Sequence, residues 1–275
     1  MTEPSILISI DNLGLATLTM NRPELHNAFN EELVATLTAS LRQLNADPEV
    51  RLVILAANGK SFSAGADLND MRRMADNSRE QNLADARGIA ELMRTLNFMT
   101  KPTIALVQGA AYGGGVGLTS CCDVAIATER ATFCVSEVKL GLIPAVISPY
   151  VLAAIGTRAA RRYFQTAEVI SAGEAHRIGL VHEVVADEAE LAAVAGRLMV
   201  QLLKNGPGAM TAAKKLITTV SGREIDDSLV AETSALMADR RASPECREGL
   251  SAFLGKRLPS WCRGEACLAP TIERR

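Results

Sequence analysis

The sequence predicts an α/β protein with a parallel core, and three observations carry that prediction. Short apolar, β-branched runs at residues 52–56, 103–107 and 124–127 alternate with helical stretches, in the order strand, helix, strand, helix, strand. Four glycines fall within residues 113–117, in a stretch that begins at Gly109 and follows one of those strands. From about residue 187 onward the pattern turns to one helix after another.

The elements follow in order. Ile6–Ile10 and Leu15–Met20 read as a hairpin around Asn12-Leu13-Gly14. Asn30 caps a helix with Glu31 and Glu32 in its first turn and an apolar stripe of Leu33, Leu37, Leu41 and Leu44, stopped by Asp47-Pro48. After the strand at 52–56 comes a loop of small residues, Gly59–Leu68, in which Asp67 caps or begins a helix. Met71–Asn82 is polar with little periodicity and reads as a mobile lid or a plain surface loop, followed by a helix to about Asn97. Thr132–Cys134 is a further short strand, Arg158–Phe164 is helical, and Val181–Val185 is extended. Ser171-Ala-Gly-Glu174 reads as a capping box opening a short helix. Helices are expected at 187–203, 207–220 and 225–240, and Ser243-Pro244-Glu245 starts a last one. No internal repeat is visible. The expected division is a core domain over 1–200 and a helical region over 201–275.

Composition excludes several classes. With 275 residues, 48% hydrophobic and 22% charged, this is an ordinary globular chain with a sizeable core. A net charge of −2 leaves no electrostatic footprint for nucleic acid or an anionic membrane. The six cysteines form no Cys-x-x-Cys pair and have no nearby histidine, so no metal is expected, and Cys121 and Cys122 read as small buried residues. The apolar stretch 140–156 is broken by Pro144 and Pro149 and falls short of the roughly 18 residues a membrane span needs. The first residues, Met1-Thr-Glu-Pro-Ser, lack the basic and apolar regions of a signal peptide, which suggests the cytoplasm.

The glycine stretch Gly109–Asp123 poses the main chemical question. A dinucleotide fingerprint would need glycine where Leu118 stands, and a phosphate loop would need Lys followed by Ser or Thr. An anion cradle, an oxyanion hole, or a helix packed tightly on a strand remain. A serine hydrolase is not expected: there is no Gly-x-Ser-x-Gly elbow, and His26, His176 and His182 have no obvious partner. Parallel neighbouring strands would bring the loops Ala64–Asp67 and Gly113–Gly117 to one end of the sheet. Two N–H groups from two loops would then suit an oxyanion, and Glu137, flanked by apolar residues, is a candidate for proton transfer. Read alone, Glu137 is better explained as a surface charge on a loop.

Taken together, these residues resemble the crotonase, or enoyl-CoA hydratase/isomerase, family over nearly the whole chain. The resemblance rests on Asn21-Arg-Pro23 with Asn27-Ala28, Phe62-Ser-Ala-Gly-Ala-Asp67-Leu68, Gly109–Asp123, Ser136-Glu-Val-Lys-Leu-Gly-Leu-Ile-Pro144, Ala175-His-Arg-Ile-Gly-Leu180 and Phe253-Leu-Gly-Lys256. It implies a spiral of ββα units with a C-terminal helical trimerisation region, assembled as a trimer or a dimer of trimers. By position it implies that the N–H groups of Ala66 and Gly114 form an oxyanion hole for an acyl-CoA thioester, with Glu137 as the acid/base. Ala64, Asp67 and Leu68 would lie along the adenine of coenzyme A, and Leu25, His26 and Ala28 along its pantetheine and phosphates. Phe253 and Lys256 match a C-terminal segment that reaches towards coenzyme A. No cofactor beyond the substrate's own coenzyme A is implied.

Two departures sharpen the expectation. Family hydratases commonly carry a second glutamate in the helix after the glycines, and Gly117 stands there. The glycine-rich run after Pro144 is replaced by Ala145-Val-Ile-Ser-Pro-Tyr150. Both features are similar to a bacterial subgroup that hydrates branched glutaconyl-CoA substrates in leucine and acyclic terpene breakdown. Lys139, or Arg72 or Arg73, is then expected to read a distal carboxylate. The rival expectations are a Δ3,Δ2-enoyl-CoA isomerase, which needs one carboxylate, and a catalytically weak acyl-CoA-binding scaffold.

Overall fold

The computed structural model describes residues 3–74 and 76–262. The chain divides into two compact units, residues 1–99 with 103–196, and residues 100–102 with 197–275.

In the first unit, β1 (Ile6–Ile10) and β2 (Leu15–Met20) pair antiparallel, with Ile6 opposite Met20. A 3₁₀ turn, Pro23–Leu25, leads into α1 (Glu31–Ala46). Then come β3 (Leu52–Ala57), β4 (Ser61–Ser63), α2 (Leu68–Met74) and α3 (Arg79–Asn97). The pattern returns as β5 (Thr103–Val107), β6 (Ala110–Tyr112) and α4 (Gly114–Cys121). It returns again as β7 (Val124–Thr128), β8 (Thr132–Cys134), a 3₁₀ turn at Glu137–Leu140 and α5 (Ser148–Thr166). β9 (Ile170–Ser171), α6 (Ala172–Arg177), β10 (Glu183–Val185) and α7 (Glu188–Lys204) follow.

From β3 to β8, each pair of successive strands sends its first member to one sheet and its second to another, whereas β1 and β2 share one sheet. The large sheet has the order β1-β2-β3-β5-β7-β10 and the small one β4-β6-β8-β9. From β2 through β7 the neighbours in the large sheet are parallel, as are β4-β6-β8. Parallel strands buried on both faces demand apolar side chains on both, which is why 52–56 and 103–107 read as continuous runs. α1 closes the core with Leu33, Leu37, Leu41 and Leu44 all buried, and the Asn30 side chain accepts the Leu33 N–H at 2.9 Å as its cap.

Several expectations change. Met71–Asn82 is not an irregular lid: α2 occupies its start, and Ser78 with Gln81 forms a reciprocal capping box that opens α3. The helix expected at 158–164 extends over Ser148–Thr166 and is interrupted at Gly156, whose φ is 70°. At Ser171 only half the box exists. The serine accepts the Glu174 N–H at 3.3 Å, while the Glu174 carboxylate turns to Arg177 and Tyr163. The repetition invisible in the sequence is plain in three dimensions, because the second strand of each turn is only three residues long.

The second unit is helical: α8 (Pro207–Val220), α9 (Asp227–Ala242) and α10 (Pro244–Leu254) follow the end of α7. The Glu245 carboxylate accepts the N–H groups of Gly208 at 2.9 Å and Ala209 at 2.8 Å, and also pairs with Arg240. A carboxylate suits the positive first turn of α8. Ser243 caps α10 and Asp226 caps α9.

Candidate active site

Gly65 has φ of 91°, a conformation open to glycine, and leads into Ala66. Phe29 pairs with this loop as a one-residue strand. Its N–H donates to the Gly65 carbonyl at 2.6 Å, and its carbonyl accepts the Asp67 N–H at 2.8 Å. With Gly65 and Asp67 both turned towards Phe29, the Ala66 N–H faces the other way. Among the described residues it has no acceptor.

Asp67 anchors the far side of the loop. Its carboxylate holds Arg22 at 3.1 Å and the Asn69 N–H at 2.9 Å, and its carbonyl accepts the Met71 N–H, so it caps α2. Arg22 also donates to the Ala28 carbonyl at 2.8 Å, and Asn27 donates to the carbonyls of Asn58 and Ser61. The segment 22–29 is thereby stitched to the segment 58–67.

The glycine stretch is built by close approach. Gly113, with φ of 49°, donates its N–H to the Cys134 carbonyl at 2.9 Å and precedes α4. Gly114 opens α4, and its N–H has no acceptor among the described residues, as first-turn N–H groups lack intrahelical partners. A methyl group on Gly114 would fall 2.5 Å from Phe29 Cε2, and one on Gly115 would fall 2.8 Å from the Ser63 carbonyl oxygen. The helix lies against β4 and Phe29 too closely for side chains. Gly65 and Gly113 meet: a methyl on Gly113 would lie 3.8 Å from Gly65 Cα. The two loops thus sit side by side, after the parallel strands β4 and β6.

Glu137 completes the arrangement. It starts the 3₁₀ turn after β8, and the same methyl on Gly113 would lie 3.4 Å from its Oε1. Its Oε2 is buried with no hydrogen-bond partner among the described residues. Burial pushes the Glu137 carboxyl above the usual 4.5, while a hydrogen bond from its own main-chain N–H pulls the other way. A carboxyl that keeps its proton more readily, beside two unengaged N–H donors, is equipped to move a proton next to a developing negative charge.

Other expected residues fall around these loops. Ala64 and Leu68 are exposed, whereas the Asp67 side chain and N–H are committed to Arg22, Asn69 and Phe29. Leu25 and His26 are exposed and Ala28 is buried, with His26 Nδ1 3.1 Å from Ser61 Oγ. Lys139 is exposed. Arg72 bonds Asn69 at 3.0 Å and Arg73 pairs with Asp70 and Glu31, so both are engaged within their own surface. Phe253 and Lys256 are exposed in the second unit. Gly117 is sealed in: a methyl there would lie 2.5 Å from Ile147 Cγ2 and 3.0 Å from Met93 Cε. Phe29 escaped the sequence reading, since only its neighbours Asn27-Ala28 belong to the motif and nothing local shows what its ring touches. A surface cavity elsewhere in the unit, lined by Arg162, Tyr163, Glu168, Glu174 and Arg177, has its charges mutually paired. Among the described residues no group of three His, Cys, Asp or Glu is placed to hold a metal, and no helix is long and apolar enough to cross a membrane.

Two sheets fed alternately by ββα turns, followed by a helical C-terminal unit, define the crotonase class of fold. Comparison with known proteins gives the family. The profile described as enoyl-CoA hydratase/isomerase matches residues 11–264, and the chain belongs to that family. A crotonyl-CoA hydratase of Syntrophomonas wolfei is 36% identical over 248 residues, covering 88% of this chain and 92% of that protein. A 1,2-epoxyphenylacetyl-CoA isomerase of Escherichia coli is 35% identical over 252 residues, covering 90% and 95%. The crystal structure of an enoyl-CoA hydratase from Shewanella pealeana superposes with a TM-score of 0.91 at 45% identity, covering 94% of this chain and 96% of that one. The chain is accordingly an enzyme of the enoyl-CoA hydratase/isomerase family acting on acyl-CoA thioesters, and its C-terminal helices fit the family's trimerisation region.

Proposed function

We propose that this enzyme adds water across the α,β double bond of an enoyl-CoA, with a branched glutaconyl thioester such as 3-methylglutaconyl-CoA or isohexenylglutaconyl-CoA as its substrate. The observation that carries the reading is Glu137, whose Oε2 is buried with no hydrogen-bond partner among the described residues, beside the loops of two unengaged N–H donors. The N–H groups of Ala66 and Gly114 hold the thioester oxygen. The Glu137 carboxylate takes a proton from water as the water oxygen bonds to the β-carbon, and the double-bond electrons pass to the thioester as an enolate. Protonated Glu137 then delivers its proton to the α-carbon, and the carbonyl reforms. One carboxyl serves both transfers, so no second glutamate is required.

Coenzyme A lies along Leu25, His26, Ala28, Ala64 and Leu68, with Asp67 holding that rim in place. Phe253 and Lys256 reach it from a neighbouring subunit, the C-terminal region of residues 201–275 assembling the protein as a trimer or dimer of trimers. The exposure of Ile225 (85%), Phe253 (79%) and Leu254 (78%) supports such assembly. Lys139 reads the distal carboxylate: it is exposed two residues from Glu137, whereas Arg72 and Arg73 are engaged elsewhere.

A Δ3,Δ2-enoyl-CoA isomerase is the second reading, and Gly117 favours it. Isomerisation needs one carboxyl and no ordered water, and the walls of Ile147 and Met93 leave no place for another on α4. One assay in heavy-oxygen water decides between them, using 3-methylglutaconyl-CoA, crotonyl-CoA and a 3-enoyl-CoA with mass detection. The expected product is labelled hydroxyacyl-CoA from the glutaconyl substrate, with crotonyl-CoA turned over at least about tenfold less efficiently, a gap of about 1.4 kcal/mol. Unlabelled 2-enoyl-CoA from the 3-enoyl substrate, with no hydration of any substrate, would establish the isomerase instead.

A further inference from the structure

Phe29 touches both donor loops at once. Its main chain brackets Ala66 through the bonds to Gly65 and Asp67, and its ring lies against Gly114. The contact is close over a whole edge of the ring: a methyl on Gly114 would sit 2.5 Å from Cε2, 2.9 Å from Cδ2 and 3.2 Å from Cζ. The ring itself has little room to move. Phe29 is buried, and the next residue, Asn30, is the cap of α1, whose leucine stripe is in the core. Each donor follows a glycine at positive φ, Gly65 and Gly113, a backbone conformation that other residues rarely adopt.

We propose that Phe29 is a positioning residue that fixes the two N–H groups relative to one another, its main chain aiming the Ala66 donor and its ring setting the depth of the Gly114 donor. The inference rests on the reading that these donors bind the thioester oxygen. α1 supplies the frame, Phe29 stands immediately before its Asn30 cap, and both loops take their place from that one side chain and its peptide groups. Trimming the ring leaves the Ala66 bracket intact but removes the stop against which the first turn of α4 rests. A displacement of about 1 Å between catalytic groups costs on the order of 10²-fold in rate.

The test uses Phe29→Leu, Phe29→Met, Gly114→Ala and the double variant Phe29→Leu/Gly114→Ala, with Ala66→Pro as a control on the underlying reading. Two quantities are measured in the folded full-length enzyme: kcat separately from KM, and the absorption maximum of a bound aryl-conjugated enoyl-CoA, which moves to longer wavelength as its carbonyl is polarised. Phe29→Leu is expected to lower kcat by about 10- to 100-fold, to leave KM little changed and to shrink the spectral shift. Gly114→Ala is expected to do the same by pushing on the ring. The double variant is expected to recover part of that loss, because the methyl enters space the ring has left. Should Phe29→Leu fail to fold, Phe29→Met, of similar volume, gives the same readout. If the Phe29 variants lose only thermal stability, with kcat per folded site and the spectrum unchanged while Ala66→Pro abolishes both, the inference falls and the donor reading stands. If Ala66→Pro also changes neither, both fall.

Discussion

Glu137→Gln separates catalysis from packing because the two readouts move in opposite directions. The amide keeps the shape of the side chain but cannot exchange a proton, and general acid–base catalysis of this kind contributes about 10²–10⁴-fold, or about 2.7–5.5 kcal/mol of barrier. The full loss is expected, since the sealed position of Gly117 provides no second carboxyl on α4. Stability behaves differently. Burial raises the carboxyl above 4.5, so from that pH upward the native state binds more protons than the unfolded chain and stability falls as pH rises. Above the native pKa the carboxylate stays buried with Oε2 unpartnered, a cost that a neutral amide lessens. Thermal unfolding of Glu137→Gln should therefore match wild type near pH 4 and equal or exceed it at pH 8. The turnover assay is loss of enoyl thioester absorbance. Turnover within a few-fold of wild type would refute the acid/base role, and an unfolding temperature well below wild type at pH 8 would refute the electrostatic argument.

Further expectations follow from the same geometry. Ala66→Pro deletes an N–H that no described residue uses, so folding should survive while kcat falls about 10²–10³-fold; unchanged turnover in the folded variant would dismiss the donor. Gly117→Glu must displace the buried Ile147 and Met93 at about 1–3 kcal/mol for overpacking alone. It should lower both stability and crotonyl-CoA turnover, and a stable variant with improved turnover would contradict the packing argument. Arg22→Met strands the Asp67 carboxylate, whose side chain is 8% exposed, and should cost about 3–5 kcal/mol in denaturant unfolding; a loss under about 1 kcal/mol would mark the pair as surface-like. On the acid side, kcat/KM should fall with an apparent pKa above 4.5, because hydration needs Glu137 ionised and burial favours its protonated form. A limb at or below 4.5 would argue against it.

Much of this architecture was legible beforehand. Strands buried on both faces, such as Leu52–Ala57 and Thr103–Val107, announce themselves as apolar runs, and α1 announces itself by its cap and its leucine stripe. The small sheet was not legible, because β4, β6 and β8 have three residues each and too few alternations for a period. The polar segment 71–82 misled for a related reason. α2 is only seven residues long, too short for a period to stand out, and none of its residues is buried; the Ser78–Gln81 box was the signal overlooked. The glycine stretch was conspicuous, but its purpose was ambiguous between a cradle and tight packing; Gly113 and Gly114 lie beside Glu137 and Phe29, while Gly115 and Gly117 answer to packing on Ser63 and Ile147.

The sequence by itself determined the alternation of strands and helices, the position of the glycine loops and the candidate carboxyl, since periodicity, caps and turn residues act over a few neighbouring positions. Tertiary structure alone decided what those loops face. The Ala66 N–H is left unengaged because Phe29, far off in the chain, takes the groups on either side of it. Glu137 is raised because burial surrounds it, and Asp67 becomes an anchor because Arg22 arrives beside it. Desolvation and hydrogen-bond direction depend on which distant segments meet, and no local pattern of residues encodes them.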